Sequence, residues 1–357
     1  MIKVAVDCMG GDYGLKTTIP AAKLSLDKNP NLHLLLFGDA KQITELTQQW
    51  PDKLALRYAV IHTDDVIAMG EPAALAYRKK RNSSMRKAID AVKLLDADAV
   101  VSSGNTGALV LTATLVLRPI EGLERPAIAA YLPTNQTEPV LMLDLGANSE
   151  CSAYHLQQFA IMGSALAQAN GINKPRIGLL NIGEELGKGN SAYKNAYDLI
   201  SNTPTLHFYG NVEGTDIYKR TVDVVVCDGF VGNIALKTSE GLASMIKIMI
   251  SEEFKRCWWT KVLATLAYPV LHAFKKRIDH RRFNGALLLG LKGVVVKSHG
   301  SAYARSFSFA INRAYEAAHS RLIERLHHSL AAMVLSSTSR STLEPTLAVA
   351  KPTALAA

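Results

Sequence analysis

Lys188 stands between two glycines in the stretch Asn181-Ile182-Gly183-Glu184-Glu185-Leu186-Gly187-Lys188-Gly189-Asn190. Its glycines let the backbone turn tightly and aim N–H groups at an anion, and the lysine adds a mobile positive charge. The chemistry this composition serves is the holding of a phosphate or of a developing oxyanion. Four more stretches mix glycine with hydrogen-bonding side chains. They are Asp7 to Gly14; Ser102 to Ala108, with Gly104, Asn105, Thr106 and Gly107; Asp144 to Asn148; and Cys227 to Asn233, with Asp228 and, a turn later, Lys237. Connecting loops favour glycine and asparagine for backbone reasons alone, which accounts for one or two of these stretches but not for repeated Gly-Asn and Asp-Gly pairs.

Each stretch follows a short apolar run. Lys3 to Val6, Ala99 to Val101, Val140 to Leu145, Arg176 to Ile182 and Val222 to Val226 read as strands, as do His33 to Phe37, Leu56 to Val60 and Leu287 to Lys297. Helices are expected after Pro20, from Ser83 or Ser84 to about Leu95, beyond Asn190, beyond Asn233, and from Tyr303 to Leu326. Alternating strands and helices imply an α/β fold, a parallel sheet covered on both faces. Ligands of such sheets bind beyond the carboxyl ends of the strands, so five glycine loops there imply one shared pocket.

With 357 residues, 48% of them hydrophobic, the chain has material for a large core, read here as a single α/β domain over residues 1–330. Residues 331–357 are rich in Ala, Ser, Thr and Pro without an aromatic, a composition expected to stay disordered. A net charge of +9 favours an acidic partner: nucleic acid, an anionic membrane, an acidic protein or phosphate. The four cysteines form no Cys-x-x-Cys pair, and the start Met-Ile-Lys-Val-Ala-Val-Asp has no signal-peptide core; both fit a reducing cytoplasm. About residues 252–284, Trp258, Trp259, Val262, Leu266 and Val270 recur at helical spacing among lysines and arginines. Such a protruding amphipathic hairpin fits an anionic membrane surface better than the alternative its apolar spacing also allows, packing in a core or dimer.

Several chemistries lack their signatures. There is no Gly-x-x-x-x-Gly-Lys-Ser/Thr loop, no Gly-x-Ser-x-Gly elbow and no paired-histidine metal motif. Gly187-Lys188-Gly189-Asn190-Ser191-Ala192 satisfies the dinucleotide fingerprint, with Glu213 near the usual acidic distance, but four residues separate it from the strand. His299, just past a strand end, reads as either a catalytic group or a structural hydrogen-bonding one.

Seven motifs in order give the chain a resemblance, from Met1 to about Leu326, to the phosphate acyltransferase family of bacterial phospholipid synthesis, PlsX. They are Val6-Asp7-Cys8-Met9-Gly10-Gly11-Asp12, Lys79-Lys80-Arg81-Asn82-Ser83-Ser84-Met85, Ser103 to Ala108, Leu143 to Asn148, Asn181 to Glu185 with Lys188-Gly189-Asn190, Gly210-Asn211-Val212-Glu213-Gly214, and Cys227 to Asn233. The resemblance implies a Rossmann-like three-layer α/β/α sandwich similar to isocitrate and isopropylmalate dehydrogenases, and a homodimer. It implies acyl transfer from acyl carrier protein to inorganic phosphate, with no cofactor, metal or nucleic acid, at the inner face of the cell membrane beside a membrane acyltransferase that uses the product. Lys188 and Asn233 match positions the family uses for catalysis. Gly104, Asn105, Thr106, Gly107, Asn181, Glu185, Gly189, Asp228 and Lys237 are expected around the substrates. Lys79, Lys80, Arg81, Arg86 and Lys87 either dock the carrier or form a solvated helix start. A nicotinamide-dependent dehydrogenase and a non-catalytic membrane scaffold are the rival readings.

Overall fold

Val4 and Val6 point to one side of the first strand and Ala5 to the other, and all three are fully buried. A strand buried on both faces needs helices above and below it. The computed structural model describes residues 1–278 and 284–330; the expected tail lies outside them.

The chain begins β1 (Ile2–Asp7), α1 (Leu15–Lys28), β2 (Leu32–Gly38), α2 (Ala40–Thr47), β3 (Tyr58–His62), α3 (Ala73–Lys79), α4 (Ser84–Lys93), β4 (Ala99–Ser102) and α5 (Thr106–Leu117). It continues β5 (Ala127–Leu132), β6 (Val140–Leu143), α6 (Ala153–Ala169), β7 (Arg176–Leu180), α7 (Ser191–Ser201), β8 (His207–Val212), α8 (Gly214–Lys219) and β9 (Val224–Val226). It closes with α9 (Gly229–Lys255), α10 (Trp258–Leu266), α11 (Tyr268–Ile278), β10 (Ala286–Leu289), β11 (Val294–Lys297) and α12 (Ala304–His319). All strands join one sheet, ordered β3-β2-β1-β4-β11-β10-β5-β6-β9-β7-β8. On one face α1, α2, α6, α7 and α12 pack around Val4, Val6, Leu143 and Phe159; on the other α3, α4, α5, α8 and the first turns of α9 cover Ala5, Val100 and Met142. This is a Rossmann-like α/β/α sandwich.

The sheet is mixed, not parallel. β5 pairs antiparallel with β6, so β6, β9, β7 and β8 run opposite to β1, β2, β3, β4 and β11. Seven residues separate Leu132 from Val140, too few for the dozen or so that a parallel crossover needs. The five glycine loops therefore fall into two groups at opposite ends of the strands, not on one edge.

Three local expectations also change. Pro20 lies inside α1, whose Leu15, Ile19, Ala22 and Leu26 are buried. Leu287 to Lys297 is two antiparallel strands, turning at Gly290 with φ +92. The closing helix breaks at Arg321, φ +53, before resuming over 322–330.

α9 runs 27 residues to Lys255, so the protrusion begins within this helix rather than near residue 252. α10 buries none of its residues, and Trp258, Trp259, Val262, Leu266 and Val270 are all exposed. Residues 279–283 of the expected hairpin lie outside the described residues. No helix among the described residues is long and apolar enough to cross a membrane.

Candidate active site

Asp144 anchors the first group of loops. Its fully buried carboxylate accepts hydrogen bonds from the backbone N–H groups of Ile128 (2.8 Å), Gly146 (3.2 Å), Ala147 (3.0 Å) and Asn148 (2.8 Å), and from Asn148 Nδ2 (2.8 Å). Burial pushes its pKa up, and these donors pull it back. The start of α9 packs directly on this knot through two glycines. A methyl group on Gly232 would lie 1.9 Å from the Asp144 carbonyl oxygen, and one on Gly229 2.6 Å from that of Asn148. The close approach sets the exposed Asn233 beside Gly146, where a methyl group would lie 3.3 Å from the Asn233 amide nitrogen.

Asp228 caps α9, accepting from Val231 N–H at 2.8 Å, and also accepts the Tyr193 hydroxyl at 2.8 Å. Tyr193 sits in the first turn of α7, which Asn190 caps by accepting the Tyr193 N–H at 3.0 Å. The end of the Asn181–Asn190 loop is thus tied to the start of α9. Burial, reinforced by Asp228, raises the Tyr193 pKa and keeps the phenol protonated.

Within the loop, Asn181 Nδ2 donates to the Lys188 carbonyl (3.1 Å) and to Asn211 Oδ1 (3.2 Å), while Asn211 Nδ2 donates to the Glu185 carbonyl (3.3 Å). Gly187 and Gly189 take φ values of +91 and +84, conformations that side chains rarely adopt. A methyl group on Gly189 would also meet Asn181 Oδ1 at 2.8 Å. This bracing holds the backbone of Lys188 and leaves its side chain 48% exposed, with the ammonium 3.9 Å from Glu185 Oε1. Asn181, Glu185 and Gly189 thus brace the loop around Lys188, and Asp228 ties it through Tyr193 to the helix that bears Asn233.

Gly104, Asn105, Thr106 and Gly107 belong to the second group, at the ends of β1, β4 and β11. The Asn105 side chain is committed to the protein: it caps α5 by accepting Ala108 N–H (3.0 Å) and donates to the carbonyls of Met69 (2.7 Å) and Glu71 (2.9 Å). Gly104 is buried, while Thr106 and Gly107 are exposed in the first turn of the helix.

α9 links the groups. Starting from the end of β9, it has risen about 12 Å by Lys237, close to the length of a four-residue strand such as β6. There Lys237 Nζ bonds Glu240 at 2.7 Å and lies 3.4 Å from His299 Nε2. His299 Nδ1 also lies 2.9 Å from Ser301 Oγ. Asn233 and Lys237, four residues apart, share one helix face, so one stripe meets Gly146 at one end and His299 at the other.

Of the basic residues near α3 and α4, Lys79 and Arg81 are exposed. Lys80 is engaged by Glu71 (2.7 Å) and the Val66 carbonyl (2.6 Å), and Arg86 by Asp90 (3.0 Å) and the Tyr77 ring (5.3 Å). Lys87 is half-buried.

Sequence reasoning passed over Tyr193, the buried Asp7 and Lys297 as site residues. Lys297 gave one usable signal, a lysine closing a β-branched run immediately before Ser298-His299-Gly300.

Lys188 carries an ammonium and Asn233 an amide, each on a braced backbone and each chemically able to stabilise an oxyanion. The family model described as "Fatty acid synthesis protein" matches residues 2–325. The Phosphate acyltransferase of Paraburkholderia phytofirmans is 52% identical over 330 residues, covering 92% of this chain and 89% of that protein. Among solved structures, the EutD phosphotransacetylase of Staphylococcus aureus superimposes with a TM-score of 0.57 at 14% identity, covering 89% of this chain and 94% of that one. A phosphotransacetylase of Streptococcus pyogenes gives 0.58 at 18% identity with the same coverages. The two structures support the fold, and the sequence matches the kinship: the chain belongs to the phosphate acyltransferase family, PlsX, and is an acyltransferase.

Proposed function

We propose that the protein transfers a fatty acyl group from acyl carrier protein to inorganic phosphate, yielding acyl phosphate for a membrane acyltransferase. The observation that carries this reading is the half-exposed Lys188 side chain on a braced glycine loop tied through Tyr193 and Asp228 to the helix bearing Asn233. A phosphate oxygen attacks the thioester carbonyl, forming a C–O bond and a tetrahedral oxyanion. The oxyanion collapses by breaking the C–S bond, and the carrier thiolate takes a proton from solvent. Phosphate is already anionic at neutral pH, so no serine or cysteine intermediate is required. The protein's part is to place the reactants and to offset charge: Lys188 holds phosphate, and Asn233 donates to the carbonyl or phosphate oxygen.

Phosphate-dependent release of free carrier thiol from an acyl-carrier thioester tests the reading. Removing orthophosphate should abolish release, whereas undiminished turnover without it would overturn the proposal. A requirement for nicotinamide would favour the dehydrogenase, and no turnover under any condition the scaffold.

Two surfaces fit the partners this reaction requires. On α9, Leu242, Met245, Ile246 and Met249 are exposed at the spacing of one helix stripe, a pattern that suits pairing with a second copy in a homodimer. Beyond it Trp258, Trp259, Leu266 and Val270 are exposed near Lys255, Arg256 and Lys261, which suits an anionic bilayer at the cytoplasmic face. Trp258→Glu combined with Leu266→Glu should release the protein from vesicles containing anionic lipid; retained binding in a flotation assay would count against this contact.

Of the five basic residues expected to dock the acidic carrier, Lys80 and Arg86 are engaged internally, Lys87 is half-buried, and Lys79 and Arg81 are exposed. Reversing both to Glu should raise the Michaelis constant for the carrier about tenfold at low salt, with little change in kcat. An unchanged constant would place docking elsewhere. On this reading the net positive charge serves phosphate, carrier and lipid, not nucleic acid.

A further inference from the structure

β11 ends at Lys297, level with Ser102 on the parallel neighbour β4. The Lys297 ammonium donates to the carbonyl oxygens of Ser103 (3.4 Å) and Ser298. Beside them Asp7, only 1% exposed, accepts the hydroxyls of Ser84 and Ser102 at 2.6 Å each, and Ser102 Oγ accepts the Gly104 N–H at 3.0 Å. One polar network therefore fixes the ends of β1, β4 and β11 and the loops that leave them.

Satisfying two carbonyl oxygens does not require a cation, and a buried ammonium is costly unless an anion accompanies it. Asp7 is the buried carboxylate in this network, its pKa pushed up by burial against the pull of the Ser102 and Ser84 hydroxyls. The ammonium carries three N–H donors, and among the described residues these two carbonyl oxygens take two of them, which leaves one for a ligand. Lys237, on the α9 stripe that also carries Asn233, acts on it electrostatically, and His299, two residues beyond Lys297 on the loop after β11, meets that Lys237 at 3.4 Å.

We propose that Lys297 is a positioning residue of the acyl-transfer cleft: it fixes the Ser103–Gly107 and Ser298–Ser301 loops and, beside Lys237, supplies positive potential for a phosphate-class oxyanion. That oxyanion is either free orthophosphate or the phosphodiester through which a carrier tethers its acyl arm. The inference rests on the acyl-transfer reading above and names a residue and a subsite which that reading did not use.

The charged groups acting on Lys297 are Asp7 and Asp12 from the β1 side and Lys237 from α9; Lys237 is itself bonded to Glu240 at 2.7 Å, with His299 3.9 Å from that carboxylate. Burial brings the Lys297 pKa down to about 8; Asp7 and Asp12 oppose that fall and Lys237 adds to it. The charge is complete well below pH 8 and is lost above it, so oxyanion binding should weaken as pH climbs through 8.

The test is to measure Michaelis constants for orthophosphate and for the acyl-carrier thioester between pH 6.5 and about 9.5 in the parent, Lys297→Met and Lys297→Arg, with melting curves as fold controls. In the parent, one of the two constants should rise about tenfold across pH 8. Lys297→Met should show that constant raised already at neutral pH and flat thereafter, and Lys297→Arg, charged throughout, should stay low and flat. A rise for orthophosphate identifies the free ion as the oxyanion, and a rise for the thioester identifies the tethered phosphodiester. An active parent whose two constants and pH profiles match those of Lys297→Arg overturns the proposal, even if Lys297→Met does not fold. A parent without phosphate-dependent turnover instead overturns the acyl-transfer reading.

Discussion

Lys188→Ala should lower kcat by about a hundredfold or more while leaving the melting temperature near that of the parent, as loss of a transition-state donor does. The fold should tolerate the change because the side chain is 48% exposed and its ion contact, with Glu185, is a loose 3.9 Å. The loop's shape depends on other atoms: Asn181 holds the Lys188 carbonyl, and Gly187 and Gly189 supply the left-handed turns. Removing the ammonium therefore removes charge and little else. Lys188→Arg should recover only part of the rate, since a planar fork on a longer stem meets the oxyanion differently from a point charge. Near-parental kcat in Lys188→Ala, measured at saturating phosphate and thioester, would remove Lys188 from the chemistry.

Gly232→Ala should produce the largest structural defect of any single methyl group added near the site. The added carbon would stand 1.9 Å from the Asp144 carbonyl oxygen and 2.9 Å from Cys227 Sγ. Asp144 has little room to yield, because its carboxylate is held by four backbone donors and the Asn148 amide. Relief requires the first turn of α9 to lift from the end of β6, carrying Asn233 with it. The expected cost is about 3 kcal/mol or more, read as a lowered denaturation midpoint or as failure to accumulate soluble protein. Gly241, nine residues along the same helix, has nothing within 4 Å of an added methyl group. Gly241→Ala should therefore stabilise by about 0.5–1 kcal/mol through helix propensity alone. Equal behaviour of the two variants would mean that the tight seat of α9 is misplaced.

The sequence showed where strands end, because a buried β-branched run followed by glycine and a small polar residue leaves few alternatives. Asp7, Ser102, Leu180 and Val226 all close strands that patterning had located to within a few residues. Strand direction was not legible in the same way. Apolar periodicity is identical for a strand running up or down, and the information lay in the short link between Leu132 and Val140, past a strand at Ala127–Leu132 that small alanines made inconspicuous. Dividing the five loops between two ends of the sheet followed from that one reversal. Pro20 misled because tertiary burial outweighs a missing helical hydrogen bond, here through the packing of α1 on α12. Lys188 and Asn233 could be singled out from glycine-rich composition and motif order, whereas Tyr193 and Lys297 matter through partners 35 and 194 residues away. No local pattern encodes such distances.

α9 begins against the Asp144 knot and ends, without interruption, among the exposed tryptophans some 40 Å further on. A continuous helix has no hinge, so a force applied to the far end reaches Asn233 and Lys237 as a lever, not as a local deformation. Anything bound at the tip would act on Asn233 and Lys237 along the length of a single rod.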